Sequence, residues 1–148
     1  MPDRHSLIHA SYLVLIKDNK VLLARRINTG YEDGNYSLIA GHVERSETFT
    51  ECVIRESMEE GRIIIKAEDL RVVHVMQRNS KEKVANERLD VFFVAEKWSG
   101  EPMINEPHKC DYMGWFDMDH LPENIIPYIK HALEQIQRRN FYSEYGWH

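Results

Sequence analysis

The residues best suited to chemistry lie between Gly41 and Ile63, a stretch rich in glutamate. It contains six of them: Glu44, Glu47, Glu51, Glu56, Glu59 and Glu60. Glutamates at helical spacing most often form a solvated surface and have no further role. Clustered carboxylates also have a chemical use, because they are the ligands that hard divalent cations such as Mg²⁺ prefer. The stretch is therefore either an acidic surface helix or part of a metal site.

The spacing of the last three glutamates favours a metal site. We predict a helix from about Ser46 or Glu47 to Glu60, which places Glu56, Glu59 and Glu60 at positions i, i+3 and i+4. Residues at these positions are neighbours, with Cβ atoms about 5–6 Å apart. Like charges at this distance repel, and a cation among the oxygens would offset the repulsion. Apolar residues on the same helix would pack against a sheet and leave the glutamates at its rim.

The residues in and before this helix match a known pattern. After Gly41, five residues lead to Glu47, seven more to Arg55-Glu56, and two more to Glu59-Glu60. This spacing resembles the Nudix box, the signature of the Nudix hydrolases, which cut nucleoside diphosphates linked to another group. Six fixed positions make it far more specific than a lone glycine motif. The resemblance covers roughly residues 9–138 and implies an α/β fold, the Nudix-type α/β/α sandwich with a mixed sheet.

The sequence departs from the Nudix pattern only where no carboxylate is lost. Ser57 stands where an aliphatic residue is usual, and Arg62 stands where glycine is usual. We expect Gly61, one position earlier, to supply the chain reversal after the helix. Ile39-Ala40 replaces the common Pro-Gly, and Ser46 replaces a common glycine.

The resemblance implies a divalent cation, Mg²⁺ with Mn²⁺ as the alternative. Its ligands would come from three helix side chains and one backbone carbonyl: Glu56, Glu59, Glu60 and Ala40. Glu47 and Arg55 would act as orienting partners. In the chemistry implied, the cation neutralises a diphosphate bridge that would otherwise repel an attacking hydroxide.

A further carboxylate is implied outside the box. Residues 98–102, Trp-Ser-Gly-Glu-Pro, look like a turn of the MutT-like branch, and aligning on this turn places the extra ligand at Glu106. The rival interpretation, a surface glutamate in a loop, has equal weight. Glu101 is nearer in sequence, but its place between glycine and proline suits a solvent-facing turn residue. The general base is either Glu56 or Glu106, in that order.

Length and composition are those of an ordinary globular domain. The chain has 148 residues, 43% of them hydrophobic and 29% charged, with a formal charge of −5. We expect a single domain over residues 1–148, with a core at about 9–138 and a C-terminal tail at 139–148. The charge gives no basic footprint for a nucleic-acid polymer. Two cysteines form no disulfide framework, and no segment has the length of a membrane span, so we expect a soluble cytoplasmic protein.

Apolar runs and turn signals predict the order of the elements. A hairpin of His9–Lys17 with Val21–Arg26 and a short strand at Tyr36–Ala40 precede the acidic helix, and a second helix runs from about Ile125 to Arg138. Strands between the helices are predicted at Ile63–Ile65, Val72–Gln77, Leu89–Glu96 and Asp111–Asp117, with a hairpin loop in Asn79–Glu87. The aromatic end of the chain is either a docked tail or the contact of a homodimer.

Three functions stay open at this point. The first is pyrophosphohydrolysis of a nucleoside triphosphate to the monophosphate and pyrophosphate. The second is the same chemistry on ADP-ribose, another nucleotide sugar or a dinucleoside polyphosphate. The third is a nucleotide-binding regulator without catalysis, although a pure binder would have no need of the glutamate cluster. Substrate choice is expected to depend on loops such as Asn28–Asn35 and Asn79–Glu87, which spacing alone does not decode.

Other residues permit both a functional and a structural interpretation. Lone basic side chains are usually surface charges, but three are candidates for substrate phosphates: Arg25, Arg26 and Arg78. His42 either touches a phosphate or caps the turn, and we favour the turn. Four aromatic residues are candidates for stacking on a base, although aromatic residues on strands usually belong to the core: Tyr36, Phe93, Trp115 and Phe116.

Overall fold

The computed structural model describes residues 4–80 and 87–147, which form two β-sheets and two α-helices. The larger sheet is mixed. Its strands are β1 (Ile8–Val14), β5 (Ile39–His42), β6 (Leu70–Asn79), β7 (Glu87–Ala95) and β9 (Tyr142–Tyr145), and they lie in the order β5-β1-β7-β6-β9. The smaller sheet is centred on β3 (Lys20–Arg26), which pairs with β2 (Ile16–Lys17), β4 (Tyr36–Ser37) and β8 (Cys110–Asp117).

The two helices, α1 (Phe49–Gly61) and α2 (Pro127–Gln137), cover opposite faces of the larger sheet. Successive side chains of a strand point to opposite faces, and β1 follows this rule. Tyr12 belongs to the core cluster that contains Ile129 of α2, whereas Leu13 belongs to the cluster that contains Val53 of α1. The predicted α/β fold, with a mixed sheet between helices, is confirmed.

The predicted N-terminal hairpin is only partly correct. Strand β2 does pair with β3 across Asp18-Asn19, whose φ angles of 52° and 60° suit a type I′ turn. Strand β1, however, pairs with β5 and β7 in the other sheet. The apolar run from His9 to Lys17 conceals this break because Leu15, at the point where the chain changes sheets, is fully buried.

Two other strand predictions are wrong in detail. The run Tyr36–Ala40 divides into β4, which pairs with β3, and β5, which pairs with β1. The run Ile63–Ile65 forms only one isolated bridge, between Ile64 and Ser99. Its two outer residues are buried in the core cluster on the α1 side, so burial rather than strand pairing explains their apolar character.

Helix α1 starts later than predicted, because Thr48 caps it. The amide of Glu51 donates to Thr48 Oγ1 at 3.0 Å, and the amide of Thr48 donates to Glu51 Oε1 at 2.9 Å, which is a complete capping box. The expected reversal at Gly61 is also wrong. Gly61 is the last helical residue, and Arg62 itself adopts the left-handed conformation, with φ 56° and ψ 32°.

The last part of the chain docks on the larger sheet. Helix α2 lies within the predicted range, with Pro127 in its first turn. Strand β9 pairs in parallel with β6, so the aromatic end is a docked tail, whereas the homodimer stays a prediction. Most of the loop predicted in Asn79–Glu87 lies outside the described residues. In the parts of the chain that the structure describes, no helix is long and apolar enough to cross a membrane.

Candidate active site

A cleft of about 450 Å³ opens where β3, β5, α1 and the segment before β8 meet. Four of the predicted carboxylates line it: Glu56, Glu59, Glu60 and Glu106. Ala40 and Gly41 of β5 form part of its wall. Residues that lie far apart in the sequence therefore converge on one cleft. Arg55 stands behind this lining and contacts it through hydrogen bonds, and Glu47 is hydrogen-bonded to Arg55.

Glu56 lies directly against the backbone of β5. A Cβ atom on Gly41 would be 2.6 Å from Glu56 Cγ and would collide with the carboxyl group as well. Only glycine at this position allows the glutamate to pass so close to the strand. The side chain of Glu56 is 14% exposed, so its carboxylate is held at the cleft wall with limited freedom.

Arg55 connects the glutamates around it. Its Nε donates to Glu47 Oε2 at 2.8 Å, and its Nη1 donates to Glu56 Oε1 at 2.6 Å and to Glu59 Oε2 at 3.2 Å. The hydrogen bond from Arg55, followed by one from the amide of Glu44, lowers the pKa of Glu47 to about 2. Glu47 therefore stays ionised and fixes the guanidinium, which in turn orients two carboxylates of the cleft.

Among the glutamates that line the cleft, Glu60 has a pKa that is raised by burial. Burial raises its pKa well above the ordinary value, a hydrogen bond with Glu56 and the charges of Glu56 and Glu106 raise it further, and the amide of Ala40 opposes them. A carboxylate in such surroundings is stabilised by a proton or by a cation. The oxygen donors of the cleft suit a hard cation such as Mg²⁺ or Mn²⁺.

The carboxylates that line the cleft do not form a complete set of metal ligands. Among the residues that the structure describes, no three His, Cys, Asp or Glu side chains converge into a complete metal-binding group. Arg55 holds one oxygen each of Glu56 and Glu59, so a cation would compete with this guanidinium for them. The donor types fit a hard divalent cation, and the carboxylates of Glu56 and Glu59 would have to reorient in order to bind it.

Glu106 reaches the cleft because the segment after Pro102 folds back along the end of α1. The amide of Met103 donates to Gly61 O at 3.1 Å. The amide of Asn105 donates to Glu60 O at 3.2 Å, and its Nδ2 donates to Glu59 O at 2.9 Å. These carbonyls belong to the last turn, where a helix leaves them without intrahelical partners. Glu101, the rival carboxylate, is exposed and does not line the cleft.

Two of the basic candidates line the cleft and also hold parts of the protein in place. Arg25 donates from Nε and Nη2 to the two carboxylate oxygens of Asp111, at 2.7 and 3.1 Å. Arg26 donates to the carbonyl of Tyr31 at 2.8 Å and to Thr29 Oγ1 at 3.1 Å. Arg26 therefore braces the loop between β3 and β4, one of the segments expected to select the substrate.

A second cavity, of about 320 Å³, adjoins the cleft and was not foreseen from the sequence. The two share four lining residues: Arg26, Ser37, Ala40 and Gly41. Farther from the glutamates, the second cavity is lined by aromatic and basic side chains that include Tyr12, Tyr31, His42, Arg78, Arg88 and Tyr128. The two cavities therefore border the same residues, and the first is lined by glutamates whereas the second is rich in arginine and tyrosine.

Arg78 is buried rather than a surface charge. Its Nε donates to Asp90 Oδ2 at 2.7 Å, and its guanidinium carbon lies 3.7 Å from the centroid of the Tyr128 ring. Asp90 is fully buried and also accepts a hydrogen bond from Tyr12 Oη at 2.9 Å. The signal available in the sequence was Asp90 itself, a lone carboxylate in the apolar run of β7, because a buried charge needs a partner.

The aromatic candidates lie in or against the core. Tyr36 and Phe93 are buried, at 8% and 3% exposure, and Trp115 and Phe116 pack against the buried clusters. His42 is exposed at the end of β5, and its carbonyl accepts a hydrogen bond of 3.4 Å from Arg55. The base-stacking interpretation therefore has no support for these four aromatic side chains.

Comparison with known proteins identifies the family. A family model described as the NUDIX domain matches residues 7–139. The chain belongs to the Nudix family. The predicted resemblance is thereby confirmed. Membership of this hydrolase family confirms the prediction of an enzyme at the level of the family, and the named relatives are hydrolases as well.

Three similar proteins illustrate the range of the Nudix family. The NAD-capped RNA hydrolase NudC of Chromobacterium violaceum is 32% identical over 136 residues, which are 88% of this chain but only 48% of the relative. The ADP-ribose pyrophosphatase of Methanocaldococcus jannaschii is 29% identical over 128 residues, 86% of this chain and 72% of the relative. The crystal structure of the MutT NUDIX hydrolase from Burkholderia pseudomallei has a TM-score of 0.77 and 27% identity, covering 88% of this chain and 98% of that one.

Proposed function

We propose that this Nudix hydrolase cuts the diphosphate bridge of a nucleotide and that it needs Mg²⁺ or Mn²⁺ to do so. The observation that carries the proposal is the convergence of four glutamates, from α1 and from the segment before β8, on one cleft. The same cleft contains arginine side chains, and its oxygen donors are of the type that hard cations prefer. A diphosphate with its counter-cation matches both features.

The cation would be held by the carboxylates of the cleft and the carbonyl of Ala40. When bound, it would supply positive charge to the bridge and assist ionisation of the attacking water. Glu56 and Glu106 are the two candidates for accepting the proton of that water, since both line the cleft. Arg55 and Glu47 would fix the orientation of the box carboxylates through their hydrogen bonds.

The remainder of the substrate would extend toward the second cavity. Arg26 and Tyr128 lie on that side, and they suit the phosphate and base groups of a nucleotide. The first substrate class is a nucleoside triphosphate, with the monophosphate and pyrophosphate as products. The second is a nucleotide sugar such as ADP-ribose, which the name of the relative from Methanocaldococcus jannaschii favours.

The position of bond cleavage tests the proposal. The enzyme is incubated with nucleoside triphosphates, ADP-ribose, NAD and a dinucleoside polyphosphate in ¹⁸O-labelled water, with Mg²⁺, with Mn²⁺ and with a chelator. We expect products of cleavage within the diphosphate, with label on one of its two phosphorus atoms, and no turnover with the chelator. Release of inorganic phosphate labelled at the γ-phosphorus would contradict the proposal and indicate an ordinary phosphatase.

A matched pair of variants tests the assignment of the metal ligands. Glu60→Gln should abolish most turnover and raise the Mg²⁺ concentration needed for half-maximal activity. Glu68→Gln removes the same charge from an exposed residue outside the cleft and should leave both quantities unchanged. Equal activity of the two variants at limiting Mg²⁺ would exclude Glu60 as a ligand.

A further inference from the structure

Arg62 combines an unfavourable backbone conformation with a position where the Nudix box usually has glycine. Its φ of 56° lies in the left-handed region, which costs free energy for any residue with a Cβ atom. Glycine would adopt this conformation without that cost. Its backbone amide completes the end of α1 by donating to carbonyls of the last turn, which any residue type could do. The backbone alone therefore gives no reason for an arginine.

The side chain of Arg62 provides that reason. Its Nε donates to Asn105 Oδ1 at 2.8 Å, and its Nη1 lies 3.6 Å from Met103 Sδ. Because a guanidinium only donates hydrogen bonds, it fixes the oxygen of the Asn105 amide toward itself. The nitrogen of that amide is then directed at Glu59 O, to which it donates at 2.9 Å. One arginine thus sets the orientation of the amide that joins the two segments.

The segment from Ser99 to Glu106 follows the end of α1 closely. Ser99 and Ile64 exchange two backbone hydrogen bonds, of 2.9 and 3.0 Å. A Cβ atom on Gly100 would lie 2.7 Å from the carbonyl oxygen of Arg62, so the turn can approach this residue only as glycine. Arg62 is therefore contacted by the start of the segment through its backbone and by the end of the segment through its side chain.

We propose that Arg62 is a positioning residue, which holds Glu106 at the correct distance from the glutamates of α1 by clamping Asn105. Glu106 directly follows Asn105, and Glu59 and Glu60 supply the carbonyls that this asparagine contacts. The clamp therefore joins the backbone of the two segments that carry the carboxylates. This inference rests on the proposed function, because it requires that Glu106 takes part in catalysis or metal binding in that cleft.

The test is Arg62→Gly, with Arg139→Gly as its matched control. Arg139 is also an arginine with a left-handed φ, 60°, just after the other helix, and it lies outside the cleft. Both substitutions remove an arginine side chain from a position whose backbone suits glycine, so we expect similar melting temperatures. A displacement of about 1 Å in a catalytic group can lower turnover about 10²-fold. We therefore expect kcat of Arg62→Gly to fall between about tenfold and 10²-fold, with KM little changed.

Three further variants make the result specific. Arg62→Lys, which keeps a donor at this position, should recover part of the lost kcat. Glu106→Gln should itself lower kcat about 10²-fold or more, as loss of an acid–base or charge-stabilising group does. Combined with Glu106→Gln, Arg62→Gly should cause almost no additional loss, since coupled residues are not additive. The Mg²⁺ requirement should rise in both single variants and not in Arg139→Gly.

Each possible outcome is informative. If the wild-type enzyme cleaves a diphosphate bridge but Arg62→Gly matches Arg139→Gly in kcat, the positioning role is wrong and the proposed function stands. If Glu106→Gln is fully active, Glu106 has no role and the clamp has nothing to position. If the losses in the double variant are additive, Arg62 acts by a route other than Glu106, which also overturns the inference. A wild-type enzyme without diphosphatase activity would refute the proposed function itself.

Discussion

Replacing Gly41 by alanine should separate activity from stability. The added Cβ would lie 2.6 Å from Glu56 Cγ, about 0.8 Å short of the 3.4 Å at which ordinary contacts begin. The three nearest atoms all belong to the side chain of Glu56, so the strand can keep its place while the glutamate moves. Glu56 would move away from β5 and lose its hydrogen bond of 2.6 Å with Arg55 Nη1.

The expected magnitudes follow from this geometry. Overpacking a rigid core costs about 1–3 kcal/mol, and we expect the lower end because the colliding side chain borders the cleft and can move into it. For a chain of this size, that corresponds to a melting temperature lower by about 2–4 °C. Misplacing a catalytic or ligating group by about 1 Å can cost about 10²-fold in rate. Gly41→Ala should therefore remain folded and lose roughly 10²-fold in kcat.

Thermal unfolding and initial-rate kinetics at saturating Mg²⁺ measure the two effects. Gly114→Ala is the control, because its Cβ would also be tight, at 3.0 Å from the Tyr112 hydroxyl oxygen, but it lies in β8 outside the lining of the cleft. It should lose stability to a similar degree and keep its turnover. Wild-type kcat in Gly41→Ala would refute the argument that Glu56 must lie against the strand. If Gly41→Ala unfolds and Gly114→Ala does not, the added methyl group displaces the strand rather than the glutamate.

Other perturbations concern the capping box, the buried ion pair and the thiols. Thr48→Ala should lower the free energy of unfolding by about 1 kcal/mol through loss of the cap, without reducing turnover. A lower kcat at a temperature where the variant is fully folded would contradict this. Asp90→Asn should cost about 3–5 kcal/mol in chemical denaturation, because it leaves a buried guanidinium uncompensated, whereas Tyr12→Phe should cost only about 1 kcal/mol. Iodoacetamide at about pH 8 should label Cys110 before Cys52. Burial raises the pKa of both thiols, to about 11 for Cys52, but Cys52 is fully buried whereas Cys110 is partly exposed to the reagent. Peptide mass mapping measures the order, and faster labelling of Cys52 in the folded protein would contradict its burial.

The sequence predicted best what depends on local spacing. The glutamates of α1 are close together for the same reason that any residues three or four apart on a helix are close, so the periodicity was sufficient. The capping box lies within four residues and was overlooked only because serine and glutamate at 46 and 47 also suit a helix start. The left-handed conformation of Arg62 was missed because glycine, one position earlier, is the usual residue for it.

What escaped the sequence depends on pairing over long distances. Tyr12, Arg78 and Tyr128 of the second cavity form a cluster with the buried Asp90, and the four residues come from three strands and one helix that are brought together only by the fold. An apolar run also carries no information on strand order. The sequence therefore did not predict that the chain passes from one sheet to the other between β1 and β2. Glu106 was found through the resemblance to a family and not through any periodicity.

The register of β1 has a consequence for which length changes the protein can tolerate. In this strand Ser11 pairs with Gly41, and its Oγ donates to the carbonyl of Phe49 at 2.7 Å, at the start of α1. Deleting one residue from β1 would exchange the two faces of the strand, since side chains alternate. It would also break the register in which Ser11 pairs with Gly41. Insertions in the loop between β3 and β4 face no such double constraint, so natural variation in length should accumulate there, next to the substrate, while β1 keeps its seven residues.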